Sequence, residues 1–126
     1  MATVADVMTS GSILSIGPDT TVAEAATVMG ERRVGSALIM EGDRLAGIFT
    51  ERDIVRALGA HHDAAGHPVV EWMTANPITI EPATTVDEAL RMMLERNFRH
   101  LPIVEEGRVL GIVSMRDLTA AAGPNR

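Results

Sequence analysis

One half of this chain repeats the other. With Pro18 set on Pro82, an offset of 64 residues, Thr20-Thr21-Val22 falls on Thr84-Thr85-Val86 and Glu24-Ala25 on Glu88-Ala89. Met29 then meets Met93, Glu31-Arg32 meets Glu95-Arg96, and Arg52-Asp53 meets Arg116-Asp117. From Pro18 to Leu58, 17 of 41 positions are identical without a gap. Upstream, Val7-Met8-Thr9 matches Trp72-Met73-Thr74 with a one-residue shift. A duplication restricts the fold sharply, because both halves must build the same unit. A unit of about 55 residues is marginal in the core it can bury, so two are expected to pack face to face around a shared core. The expected plan is a first repeat over 1–60, a linker over 61–68 and a second repeat over 69–126.

Each repeat reads as β-α-β-β-α. The alternating, β-branched stretches Ile13-Leu14-Ser15-Ile16 and Ile78-Thr79-Ile80 predict short strands. Thr21-x-x-Glu24 and Thr85-x-x-Glu88 have the form of a capping box, with Thr at the N-cap and Glu three residues on. Behind them Val22, Ala25, Ala26 and Met29, and likewise Val86, Ala89, Leu90 and Met93, share one helical face. These helices are expected to end near Arg33 and Asn97. Two hairpins follow, Ala37–Met40 with Leu45–Thr50 and Leu101–Val104 with Val109–Ser114, each turning through a Gly-containing polar loop. A last helix starts after Thr50 and after Ser114. The expected class is α+β, two such repeats related by a pseudo-two-fold axis.

Composition removes whole classes of function. The 126 residues contain no Cys, so disulfides, thiolate metal sites and thiol nucleophiles are excluded. All 11 basic residues are Arg, which excludes a Schiff-base lysine and the Gly-Lys-Ser/Thr phosphate loop. Lysine-free coding suggests a GC-rich bacterium. A net charge of −6, one Trp, two Phe and no Tyr give neither the basic footprint nor the stacking platforms of a nucleic-acid binder. No apolar run reaches the roughly 18 residues needed to span a bilayer, and no secretory leader is evident. A cytoplasmic protein is expected, with no membrane partner.

The motif that carries chemistry occurs twice, as Gly47-Ile48-Phe49-Thr50-Glu51-Arg52-Asp53 and Gly111-Ile112-Val113-Ser114-Met115-Arg116-Asp117. Set within a duplicated β-α-β-β-α unit, it resembles the cystathionine-β-synthase (CBS) domain family, whose tandem pairs are called Bateman modules. The resemblance covers roughly residues 4 to 122. It implies a regulatory pair that binds AMP, ADP, ATP or another adenosine compound in clefts between the repeats. By the same resemblance Asp53 and Asp117 take ribose hydroxyls, and Thr50 and Ser114 approach phosphate beside Arg52 and Arg116. A carboxylate can accept both donors of a cis-diol, and a helix start offers free N–H groups to an anion. Thr50-x-x-Asp53 and Ser114-x-x-Asp117 are equally capping boxes in form, which need no ligand.

The repeats differ beside the motif. The second has Arg99-His100-Leu101-Pro102 where the first has Gly35-Ser36-Ala37-Leu38. Arg99 and His100 would add charge for a phosphate, so the Asp117 side is the expected stronger site. The resemblance places adenine against Ile78, Thr79, Ile80, Leu101 and Pro102, and on the other side against Leu14, Ser15, Ile16, Ala37 and Leu38, with Ser36 a further nucleotide-binding candidate; many of these suit a core equally well.

His61, His62 and His67 could ligate Zn²⁺ or Ni²⁺. Without cysteine or an evident i,i+4 helical pair, the run reads as a solvated linker, and no metal site is assigned. The methionines read as packing. No catalytic constellation is present: His100, Ser114 and Asp117 suggest a triad, but nothing supplies an oxyanion hole. The leading reading is a stand-alone nucleotide sensor, homodimeric and acting on an unknown regulated protein. The alternative is a ligand-free assembly module using apolar helix faces, with Val28, Met92 and Leu94 as candidates.

Overall fold

The computed structural model describes residues 2–8 and 13–122. Thr9 of the Val7-Met8-Thr9 segment lies outside them. The fold is mixed α+β and divides into two compact units: Leu14–Pro77, and Met1–Ile13 together with Ile78–Arg126. We call them the first-repeat and second-repeat units.

In the first-repeat unit the chain runs β1 (Ser15–Ile16), α2 (Val22–Arg32), β2 (Ser36–Glu41), β3 (Arg44–Thr50), α3 (Glu51–Ala60) and β4 (Thr74–Ala75). The sheet order is β1-β2-β3-β4, with β1 parallel to β2 and the other pairs antiparallel. Between α3 and β4 lie two 3-10 turns, Ala64–Gly66 and Val69–Glu71. The second-repeat unit holds α1 (Val4–Val7), α4 (Val86–Arg96), β5 (His100–Glu105), β6 (Arg108–Ser114) and α5 (Met115–Ala122).

The helix boundaries fall where the caps set them. Thr21 accepts the Glu24 N–H (3.1 Å) while Glu24 accepts the Thr21 N–H (2.9 Å), and Thr85 and Glu88 repeat the exchange. These hydrogen bonds hold both glutamates below the usual carboxylate range. The stabilisation they bring is present above that range and is lost as pH falls through the lowered values. At the other ends Arg33 (φ 56°) and Asn97 (φ 60°) take the left-handed conformation that stops each helix. Gly30, in the last turn of α2, has open space where a Cβ would stand. Gly30→Ala should therefore raise stability by about 0.5–1 kcal/mol in urea unfolding, through helix propensity alone.

Both hairpins turn through two residues. Gly42 alone has positive φ in the first (59°), whereas Glu106 (51°) and Gly107 (77°) both do in the second. The second therefore follows the type I′ pattern.

One expected strand is reduced to a single residue. Ile78–Ile80 contributes only a parallel bridge from Ile80 to Ile103. In the first repeat the Leu38 N–H donates to the Leu14 carbonyl (2.9 Å) and helps build the β1–β2 pair. The matching donor in the second repeat would be Pro102, which has no N–H. Only the bonds flanking that gap remain, Ile80 N–H to the Pro102 carbonyl (3.0 Å) and Val104 N–H to the Ile80 carbonyl (2.9 Å).

Sequence repeats and compact units are cut at different places. Val4 donates to the Thr84 carbonyl (2.8 Å) and Val86 to the Ala2 carbonyl (3.1 Å), so the N-terminal segment is part of the second-repeat unit. Val4 is fully buried there in a cluster with Met93, Leu101, Ile103 and Leu118. In the same way Val69 donates to Thr20 (2.8 Å) and Val22 to His67 (2.9 Å), and Val69 is buried with Met29, Phe49 and Ala57. Each repeat is thus completed by the segment that precedes the other repeat in sequence.

Candidate functional site

The motif-bearing strand ends and helix starts differ in the two units. Thr50 closes β3 and caps α3. The Asp53 carboxylate accepts the Thr50 N–H (2.9 Å) and hydroxyl (3.2 Å) on Oδ2, and Arg56 Nη1 (2.7 Å) on Oδ1. Asp53 is 5% exposed. Both of its oxygens are committed inside the first turn of α3, and a ribose diol would have to displace Arg56.

Asp117 keeps the reciprocal cap without the ion pair. Its N–H donates to Ser114 Oγ (3.0 Å), and its Oδ2 accepts the Ser114 N–H (3.3 Å). No ion pair reaches it among the described residues. The cause is one substitution: the residue matching Arg56 is Ala120. Asp117 is half-buried, with a carboxylate oxygen not held by a guanidinium. Sequence reading missed Arg56, although Asp53 and Arg56 have the i,i+3 spacing of a helix-surface pair.

The rest of the second-repeat set converges on the same end of the sheet. His100 stands opposite Ser114 in the β5–β6 ladder, and Leu101 opposite Val113. The Met115 N–H donates to the Arg99 carbonyl (2.8 Å), tying the Arg99–His100 segment to the start of α5. Arg99 and Arg116 are exposed, and His100 is half-buried. Ile80 bridges to Ile103 and donates its N–H to the Pro102 carbonyl, and Ile78 packs against the core cluster that contains Leu101. Of these, Ile80 and Leu101 are core residues, Pro102 is fully buried and Thr79 is exposed.

In the first-repeat unit Ser36 faces Thr50 across the β2–β3 ladder, and Ser15 pairs with Leu38. Ser36 is buried, whereas Ser15 and Arg52 are exposed. Leu14 and Ala37 belong to the core, with Ile16 packed against it. Their side chains hold the sheet together, so a ligand there could use mainly backbone groups.

This architecture is matched among known proteins. The CBS domain family matches twice, at residues 4–60 and 69–123. The chain belongs to the CBS domain family. Among curated relatives of this CBS pair, an uncharacterized 17.7 kDa protein of Acidianus ambivalens is 40% identical over 96% of this chain and 74% of its own length. YhcV of Bacillus subtilis, a CBS domain-containing protein, is 32% identical over 94% of this chain and 84% of its own. Among solved structures, the CBS-domain protein ATU1752 of Agrobacterium tumefaciens has a TM-score of 0.90 at 29% identity, covering 97% of this chain and all of its own. CBSX2, solved in complex with AMP, has a TM-score of 0.83 at 26% identity over 97% of this chain and 96% of its own. The CBS domain pair of MJ0100, solved with 5′-methylthioadenosine and S-adenosyl-L-methionine, has a TM-score of 0.88 at 26% identity, covering all of this chain and 99% of its own. Among the described residues of the present CBS pair, no helix is long and apolar enough to cross a membrane.

Proposed function

We propose that this CBS pair is a regulatory binding module, not an enzyme, and that its second repeat takes an adenosine-containing ligand of the AMP, ADP or ATP class. Asp117 accepts the ribose hydroxyls. Ser114 and the N–H groups opening α5 face the phosphate, with Arg99, His100 and Arg116 supplying positive charge. The observation that carries this reading is the unequal pair of aspartates: Asp53 accepts from both Thr50 and Arg56, while Asp117 lacks the guanidinium. Adenosine compounds in two CBS-pair neighbours support the ligand class. Ligand occupancy would act on a regulated protein through different affinities for two states of the module. The reading extends to a homodimer in a bacterial cytoplasm.

A thermal-shift panel with AMP, ADP, ATP and S-adenosylmethionine tests it. A ligand at 100 times its Kd should add about 2.7 kcal/mol of stability. No shift with any of them at millimolar concentration would favour a ligand-free assembly module instead. That second reading has its own support in apolar side chains facing solvent. Leu94 on α4 is 71% exposed, as is Val55 on α3, where Leu58 is 50% exposed. Val28 and Met92, the other expected interface residues, pack against the cores of their own units.

A further inference from the structure

The segment after α3 is more ordered than a solvated linker. His61 ends α3, its N–H donating to the Ala57 carbonyl (3.0 Å). The 3-10 turn that follows is closed by Gly66 N–H to Asp63 (3.1 Å) and His67 N–H to Ala64 (2.9 Å). Ala64 is fully buried, and the His67 carbonyl accepts the first N–H of α2. Backbone held at both ends presents three side chains to one another. Asp63 Oδ1 lies 2.5 Å from His61 Nδ1 and 3.4 Å from His67 Nε2. One potential donor atom from each of His61, Asp63 and His67 falls within 4.8 Å of the others.

We propose that His61, Asp63 and His67 form a site for one divalent transition ion of the Zn²⁺ class. Two imidazoles and one carboxylate are a donor set for borderline ions and a poor one for Mg²⁺ or Ca²⁺, which take oxygen. Tetrahedral Zn²⁺ with bonds of about 2.0–2.1 Å sets its donors about 3.3 Å apart. The two spacings from Asp63 bracket that value. The widest closes by rotation of the exposed His61 and Asp63 side chains.

His67 is already oriented for the role. Its Nδ1 meets Glu71 Oε1 at 3.0 Å, which turns Nε2 toward Asp63. A carboxylate on the far nitrogen of a histidine is the arrangement that fixes metal-binding imidazoles. The rings of His61 and His67 lie 5.1 Å apart, and His62 stacks 6.0 Å from His61. The site is independent of the nucleotide reading.

The test is Zn²⁺ titration into the full chain, free of any histidine tag, against a chromophoric chelator. Histidine side-chain ¹⁵N spectra follow in parallel. The expected result is one equivalent bound, with His61 and His67 signals shifted and His100 unmoved. Asp63→Asn and His67→Gln should each weaken binding at least tenfold, and Glu71→Gln about tenfold. His61→Gln with His67→Gln should abolish it. Far-UV circular dichroism checks that each variant is folded. Binding of less than one equivalent, or unchanged binding in the folded double variant, overturns the proposal. A 2.5 Å contact explained by a proton shared between His61 and Asp63 alone predicts that failure.

Discussion

Asp117→Ala is expected to weaken AMP binding about 10- to 150-fold, while Asp53→Ala leaves it nearly unchanged. A hydrogen bond to a charged group contributes about 1.5–3 kcal/mol, and each 1.4 kcal/mol is a factor of ten. The two aspartates occupy matching positions, so their difference isolates local environment from motif. Asp53 accepts from Arg56 on Oδ1 and from Thr50 on Oδ2. Recruiting it would forfeit those bonds, and the exchange would bring little net gain. Asp117 accepts the Ser114 N–H on Oδ2, with Ala120 at the position matching Arg56. Isothermal titration calorimetry on wild type and both variants measures the contrast. Equal affinity in wild type and a folded Asp117→Ala variant would remove Asp117 from the site. Loss of helix-start bonds also lowers stability, so unfolding curves of each variant are needed beside the titrations.

The largest structural effect is expected at Gly47. Its partner in the β3–β4 pair is Ala75, and β4 passes so close that an added Cβ would stand 2.5 Å from Met73 Sδ and 2.7 Å from the Thr74 carbonyl oxygen. Met73 can swing its thioether aside. The Thr74 oxygen belongs to the backbone, and the Thr74–Ala75 strand must move as a whole. Gly47→Ala should therefore cost about 1–3 kcal/mol, the usual range for overpacking, toward its upper end. Gly47→Val should cost more. Urea denaturation measures both, and a midpoint unchanged from wild type would mean that β4 is not held against Gly47. The glycine of the Gly-Ile-(Phe/Val)-(Thr/Ser) motif is thus explained in the first repeat by close approach of backbone.

Much of this protein was legible before any coordinates. The repeat offset shows on aligning the chain with itself, whereas the Thr21 and Thr85 caps, the helix ends at Arg33 and Asn97 and both hairpin loops are local signals. Each of these local signals acts through bonds spanning three or four residues, so spacing alone reveals it. The family, too, was visible in the doubled motif. Three features were not. Pro102 removes a strand bond whose acceptor lies 24 residues earlier in the chain, at the position matching Leu14. The segments around Val4 and Val69 complete units formed mainly by the other repeat. His61, Asp63 and His67 meet because a buried alanine, Ala64, turns the chain between them.

What sequence alone determined, then, is the repeated order of helix, hairpin and helix, since it follows from periodicity and from caps and turns that each involve only near neighbours; the family was legible separately, through the resemblance that the doubled motif carries. Tertiary structure decided which segment closes which core and which side chains surround each aspartate. Hydrophobic burial is non-directional, so the apolar character of Val4 and Val69 does not name the core they join. Only the packed chain supplies that choice, and with it the difference between Asp53 and Asp117.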